Sequence, residues 1–387
     1  MDKIILLDGN SLSYRAFYAM PALKNKKGLY TNSVYGFTLM LERILEDTKP
    51  KYALVAFDKG KETFRHKSYE AYKGTRDKTP TELVEQFGYV RELIESYGIK
   101  YEEHLDYEAD DIIGSYAKIA EKAGLEVIIV SGDKDLTQLA SDSITVYYTK
   151  RGVTEIDYYT PEFINEKYGL TPQQIIDMKG LMGDKSDNIP GIPGVGEKTA
   201  IKLLTEYETV ENVLENIDNI SGKKLKERLT EGKEDAILSK KLATIFTDVP
   251  VDNKIEDLTF KEDREKKKEL FEKLEFVSFL RKLSQENSAA DESETETETK
   301  EEKIKKDIEI QIADKDTKLN FKKSSLHIEC YTEDYQNSDV LGVSVYVGDT
   351  AYIFSEENFF DNKYAIEYLQ SQEEKTVYDI KKIIYIA

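Results

Sequence analysis

Three short apolar runs, each closing on aspartate, constrain this chain of 387 residues more than any other feature. They are "KIILLD" at 3–8, "YALVAFD" at 52–58 and "EVIIVSGDKD" at 126–135, strand-length segments rich in β-branched and aromatic side chains. Between them, "VYGFTLMLERILED" at 34–47 and "TPTELVEQFGYVRELIESYG" at 79–98 carry helical spacing. Strands alternating with helices specify an α/β fold with a mostly parallel central sheet flanked by helices. In such folds ligands gather beyond the carboxyl ends of the strands, where Asp8, Asp58, Asp133 and Asp135 fall.

From residue 171 the pattern turns helical, beginning "TPQQIIDMKGLMGD", passing through the glycine-proline hairpin "NIPGIPGVGEKTA" at 188–200, and continuing to 283. Residues 284–302, "SQENSAADESETETETKEE", hold eight acids, one lysine and no large apolar side chain, and read as a disordered linker. The expected division is therefore an α/β core over 1–170 with a basic helical arch, a helix-hairpin-helix subdomain over 171–283, an acidic linker over 284–304, and a partial second α/β module over 305–387.

Several classes are excluded or disfavoured. No apolar run approaches the roughly 18 residues of a membrane span, and the amino-terminal run is too short for a signal peptide. A single cysteine, Cys330, forbids an internal disulfide and points to the cytoplasm. His66, His104 and His327 are widely spaced, which argues against a zinc site of cysteines and histidines. The net charge of -20 looks wrong for a nucleic-acid partner, yet residues 284–387 carry 24 acids against 12 bases, so -12 of it lies there. The remainder is outweighed by nine carboxylates that the chemistry below assigns to metal, so charge permits DNA without showing it.

Those nine are Asp8, Asp58, Glu108, Asp110, Asp111, Asp133, Asp135, Asp184 and Asp187. "YEADDIIG" sets three of them at a helix start, where acids also serve as caps. A lone aspartate at a strand end is more often structural. Together, however, converging carboxylates repel unless hard divalent cations neutralise them, and magnesium or manganese is the expected occupant. Nine ligands suffice for two ions, an arrangement suited to hydrolysis of a phosphodiester. The chain has no GxxxxGK[ST] loop and no strand-bounded GxGxxG, so nucleotide chemistry is disfavoured.

Basic elements flank these acids. "KGKETFRHKSYEAYKGTRDKTP" at 59–80 places Lys73 and Arg76 three residues apart on one face if helical, with Arg65 one or two turns before and Tyr69 and Tyr72 as surfaces for a base. Following Asp58, the segment can lean over the metals and steady a phosphate, as can Arg15. In the hairpin, the amides of Gly191, Gly194 and Gly196 and the ammonium of Lys198 suit phosphate, and its carbonyls could hold a potassium or sodium ion. Such a unit grips the duplex backbone without reading sequence.

These motifs, "LLDGNSLSYRAFYAM", "FDKGKETFRHKSYEAYKGTR", "EADDIIG", "SGDKDLTQL" and "GDKSDNIPGIPGVGEKTA", in this order resemble the amino-terminal 5' nuclease domain of bacterial DNA polymerases I, within the flap-endonuclease superfamily. The resemblance covers about residues 1–283. It implies a structure-selective 5'-3' exonuclease and flap endonuclease acting on branched or 5'-flapped duplex DNA and RNA-primed DNA, in Okazaki-fragment maturation and repair, monomeric and normally fused to a polymerase. It also implies a first ion on Asp8, Asp58, Glu108 and Asp110, a second on Asp111, Asp133, Asp135, Asp184 and Asp187, Lys73 and Arg76 steering the phosphate, and Arg15 and Tyr72 touching substrate. Residues 305–387 resemble the start of the 3' exonuclease module, but "LHIEC" offers His327 and Glu329 where that family has Asp-x-Glu, and "DIKKII" lacks a later metal aspartate, which implies an inactive module. Two further readings remain open: a non-catalytic module that binds branched DNA, and a single-strand-specific ribonuclease.

Overall fold

The computed structural model describes residues 2–60, 62–151, 155–291, 309–319, 324–330, 340–347, 350–370 and 376–377. Two compact units emerge, Met1–Asp291 and Glu292–Ala387.

In the first unit the strands are β1 (Lys3–Asp8), β2 (Tyr52–Asp58), β3 (Lys100–His104), β4 (Glu126–Ser131), β5 (Ile144–Arg151) and β6 (Glu155–Tyr159). The sheet order is β3-β2-β1-β4-β5-β6, and β6 alone runs antiparallel to its neighbour. Alternation along β1 explains why both faces are covered. Ile4 and Leu6 enter one apolar cluster, Ile5 and Leu7 the other, and all four are fully buried. Burial of each contributes about 1.5–3 kcal/mol, which makes β1 the spine of the unit.

The helices that cover one face are α1 (Gly9–Ala19), α2 (Asn32–Thr48) and, after the five-residue α3 (Phe64–Ser68), α4 (Thr81–Ser96). Helix α5 (Ala109–Lys122) covers the other face, followed by α6 (Pro161–Tyr168), α7 (Gln174–Met182), α8 (Glu197–Tyr207), α9 (Val210–Glu215), α10 (Lys223–Glu231) and α11 (Lys233–Ala243). Residues from α5, α7, α8, α9, α10 and α11 join one continuous apolar cluster with Ile4 and Leu6, so the stretches separated in the sequence at 170/171 share a core. The last two helices, α12 (Arg264–Leu274) and α13 (Val277–Asp291), return to the opposite face, where Phe271, Phe276 and Phe279 pack with Ile5 and Leu7. Helix α13 runs past the 283/284 boundary expected from composition, because SQENSAAD contains no helix breaker. The rest of the acidic linker lies outside the described residues.

Among its described residues, the segment expected to form a helical arch is helical over Phe64–Ser68 alone and continues as turns to residue 75. Lys73 adopts a left-handed φ of 54°, a conformation unfavourable for a side chain with a Cβ and incompatible with helix continuation. It is held there by its N–H donating to the Asp187 carbonyl at 2.8 Å.

The second unit contains β7 (Glu309–Ile312), β8 (Ser324–Cys330), β9 (Val340–Val347), β10 (Thr350–Phe354) and β11 (Thr376–Val377), ordered β11-β8-β9-β10-β7, with helices α14 (Glu356–Phe360) and α15 (Lys363–Gln370). His327 lies on β8 opposite Ser344 of β9. The "DIKKII" segment lies outside the described residues.

Candidate metal centre and nucleic-acid interface

The winding of the first sheet reverses between β1 and β4, and the crevice beyond their carboxyl ends is the natural ligand position. Asp8 closes β1 and caps α1, accepting the Ser11 N–H at 2.9 Å and the Ser131 hydroxyl at 2.7 Å. Gly9 follows because a Cβ there would lie 2.4 Å from the Phe57 ring. Asp58, at the end of β2, accepts the Ala109 N–H at 2.9 Å and is tied to Asn10 through its own N–H. Asp133 follows β4, and its carboxylate accepts the Asp135 N–H at 2.9 Å.

Electrostatics show which carboxylates share this crevice. Burial, reinforced by Asp58 and Asp133, pushes Asp8 up to about 7 against its Ser11 and Ser131 bonds. Burial, with Asp8, Asp133 and Glu108 adding repulsion, raises Asp110 well above the carboxylate range. Burial also raises Asp58, and, with Asp133 and Asp184, it raises Asp135 to about 7 against the pull of Lys179. This all-oxygen set of mutually repelling carboxylates fits a hard divalent cation.

Cations of the chain stand against the remaining acids. Lys73 reaches Glu108 at 2.9 Å and Asp187 at 3.9 Å, and Arg76 pairs with Asp187. Burial alone would lower the Lys73 ammonium's pKa, but Glu108, Asp187 and Asp58 outweigh it and hold it above the ordinary value. The pair expected from helical spacing thus converges through turn geometry. Lys179 of α7, not singled out in the sequence, bonds Asp135 and lies 2.6 Å from Asp184. Its place five residues before Asp184 was a signal available in principle.

Three expected roles need correction. Arg65 is 2 % exposed and cannot meet nucleic acid. Its guanidinium grips Asp111 through two bonds of 2.7 Å and donates to the Leu242 and Thr244 carbonyls. Asp111, fully buried, also accepts the Glu108 and Phe246 N–H groups, so its oxygens are saturated and it caps α5 rather than facing an ion. Tyr72 is 3 % exposed, donating towards Glu108 and Asp187 at 3.2 and 3.3 Å instead of offering a face to a base. Arg65→Ala should therefore destabilise the fold by about 3–5 kcal/mol by orphaning Asp111. Denaturant unfolding checks this; DNA affinity lost at unchanged stability would contradict the burial.

The hairpin divides similarly. Gly191 is buried, its N–H donates to the Ser239 hydroxyl at 2.8 Å, and a Cβ would lie 2.1 Å from the Gly183 nitrogen. Its amide is therefore structural. Gly194, with φ of 80°, Gly196, the N-cap of α8, and Lys198 are exposed. Arg15 lines a pocket of about 590 Å³ with Ser11, Tyr14, Tyr18, Gly132 and Lys150, beside the Asp8 end of β1.

Among the described residues, Glu102, His104 and Asp252 also bring potential ligand atoms within 4.8 Å of one another. Glu102 and His104, two residues apart, share one face of edge strand β3, and sequence spacing gave no hint of Asp252. The Glu102 carboxylate already accepts from Tyr116, from Asn253 and from the Asp252 N–H, while His104 lies 2.9 Å away. The group can hold a cation, but its central carboxylate is committed to fixing the 252–253 segment.

The raised aspartates have a measurable consequence in metal-free protein. A folded pKa near 7 against an unfolded value near 4 contributes stability that is present below pH 4 and lost as pH rises to 7, up to ~4 kcal/mol for each such group. Glu108 and Asp184, held low by Lys73 and Arg65 and by Lys179 against burial, contribute in the opposite sense, but only below the ordinary carboxylate range. The melting temperature should fall between pH 5 and 8, and magnesium should restore more of it at pH 8. A rising melting temperature over that window would show that the carboxylates are not crowded.

Comparison with known proteins agrees with this architecture. Residues 3–169 match the family described as 5'-3' exonuclease, N-terminal resolvase-like domain, and residues 170–266 match 5'-3' exonuclease, C-terminal SAM fold. DNA polymerase I of Bacillus subtilis is 47% identical over 385 residues, covering 99% of this chain and 43% of that protein. DNA polymerase I of Bacillus caldotenax is 51% identical over 344 residues, covering 89% and 38%. The chain thus spans less than half the length of these relatives. A bacteriophage T5 flap endonuclease, solved in a pseudo-enzyme-product complex with DNA and metal ions, superposes with a TM-score of 0.52 at 25% identity, covering 63% of this chain and 90% of that one. Among the described residues no helix is long and apolar enough to cross a membrane. With both halves of the nuclease matched in order, the chain belongs to the 5'-3' exonuclease family found at the amino terminus of bacterial DNA polymerase I.

Proposed function

We propose that the chain hydrolyses phosphodiester bonds at 5' ends and branch points of duplex DNA, including 5' flaps and RNA primers, using two magnesium or manganese ions. The observation that carries this reading is the crowding of Asp8, Asp58, Asp110, Asp133 and Asp135 at the sheet's switch point, faced by Lys73 and Arg76. Asp8, Asp58, Glu108 and Asp110 would hold one ion, and Asp133, Asp135, Asp184 and Asp187 the other, with Asp111 reassigned to Arg65. When bound, such ions supply an acidified water and neutralise charge on the phosphate.

The chain's own residues do the rest. Lys73 and Arg76 stand fixed beside the same carboxylates and stabilise charge that grows on the phosphate oxygens. Arg15 and its pocket receive the strand next to the cut. Gly194, Gly196 and Lys198 hold the duplex backbone and confer preference for structure over sequence. A potassium or sodium ion on the hairpin carbonyls would add to this grip, beside the positive charge that Arg228 already brings by donating to the Gly194 carbonyl at 3.1 Å. Fusion to a polymerase, and an inactive second module marked by His327, belong to the same reading.

The test is cleavage of a 5'-flapped duplex and its matching single strand in magnesium. Short 5' products from the flap are expected. Flap cutting no greater than that of Asp133→Ala would leave a binding module in place of an enzyme.

A further inference from the structure

The hairpin helix has an echo in the sequence. Gly196, Lys198, Lys202 and Leu203 recur at the same spacing as Gly222, Lys224, Arg228 and Leu229. The structure repeats the correspondence: Gly196 is the N-cap of α8 and Gly222, with φ of 100°, that of α10, while Leu203 and Leu229 are both buried. In a chain of net charge -20, residues 223–233 carry five basic side chains against two acidic ones.

These basic residues are not equivalent. Lys226 donates to the Asp218 carbonyl at 2.5 Å, and Lys223 leans towards Glu227 at 3.9 Å. Arg228 lies against the hairpin itself, donating to Gly194 at 3.1 Å, so close that a Cβ on Gly194 would sit 2.6 Å from the guanidinium. Behind it, Gly232 lets the start of α11 approach Ile192, since a Cβ there would lie 2.9 Å from that side chain. Helix α10 is therefore locked to the hairpin through one of its faces. Lys224, exposed, stands one turn before Arg228 on that same face.

We infer that α10 is a second backbone clamp for duplex DNA, in which Lys224 takes a phosphate beyond those held by Gly194, Gly196 and Lys198, while Arg228 fixes the two clamps in register. This rests on the proposed duplex-binding role of the hairpin and extends its footprint. The recognised chemistry is a run of phosphodiesters at duplex spacing, without base contacts.

Binding of a flapped duplex to the full chain, followed by fluorescence anisotropy across a salt series with EDTA present, tests it without requiring cleavage. Lys224→Glu should weaken affinity about three- to tenfold at ~0.1 M salt and reduce the salt slope by about one phosphate. On single-stranded DNA the variant should match the parent. Lys266→Glu, an equal charge change on exposed α12, should leave both measurements unaltered. Affinity and slope for Lys224→Glu equal to the parent's would overturn the inference, and so would equal losses for Lys224→Glu and Lys266→Glu. Failure to cut flaps with the Lys224 effect intact would instead reject the catalytic reading and keep the clamp.

Discussion

Asp110→Ala should reduce flap hydrolysis by at least about a thousand-fold, equivalent to ~4 kcal/mol of transition-state stabilisation, while leaving flap affinity nearly unchanged. Asp110 is an oxygen ligand in the proposed first set and stands on α5, apart in sequence from the hairpin that is proposed to hold the duplex. Asp8→Ala should lose as much activity, but it also removes the cap on Ser11, a cost of about 1 kcal/mol that blurs interpretation. Asp110 gives a second readout. Its carboxylate is held against burial and against Asp8, Asp133 and Glu108, so its removal should raise the melting temperature of metal-free protein at pH 8 and diminish the gain from magnesium. Single-turnover rates, dissociation constants and melting curves decide the matter together. Affinity falling in proportion to rate would place Asp110 in the binding surface rather than the metal set.

Lys73→Ala should lower the single-turnover rate at saturating protein by roughly ten- to a thousand-fold, about 1.4 to 4 kcal/mol, with a smaller change in affinity. Its ammonium is held charged by Glu108 and Asp187, and its backbone is fixed in a left-handed conformation. Strain of that kind is retained where position matters. Lys198→Ala should behave oppositely, weakening binding and reducing its salt dependence by about one phosphate while the saturated rate stays close to normal. An unchanged saturated rate for Lys73→Ala would return Lys73 to the surface lysines.

What could be read from the sequence divides along physical lines. Strands β1, β2 and β4 were legible because fully buried parallel strands write continuous apolar runs, and the aspartates closing them were legible because the sheet's polarity places them together. The arch was misjudged because nothing in "YEAYKGTR" announces that Lys73 accepts a positive φ when Asp187 claims its N–H. Arg65 and Asp111 were misjudged together. Each looks like a ligand contact alone, and only a three-dimensional pairing reveals that they satisfy one another. Gly191 illustrates the same limit: a glycine that exposes its amide and one that admits a neighbouring backbone are identical in sequence. Asp252 beside Glu102 and His104 required folding to be seen at all, whereas Lys179 stands only five residues before Asp184.

The Arg65 pairing also governs how this nuclease could be recombined. One guanidinium joins the residues after β2 to the first turn of α5 and to the carbonyls that end α11, three segments far apart along the chain. Residues 59–80 are consequently not a cassette. A chimera that imports another protein's loop there inherits the unmatched half of a buried ion pair unless position 111 and the 242–246 stretch travel with it. Transplants that move all three together should fold, whereas a loop graft alone should yield insoluble protein before its specificity could be assayed.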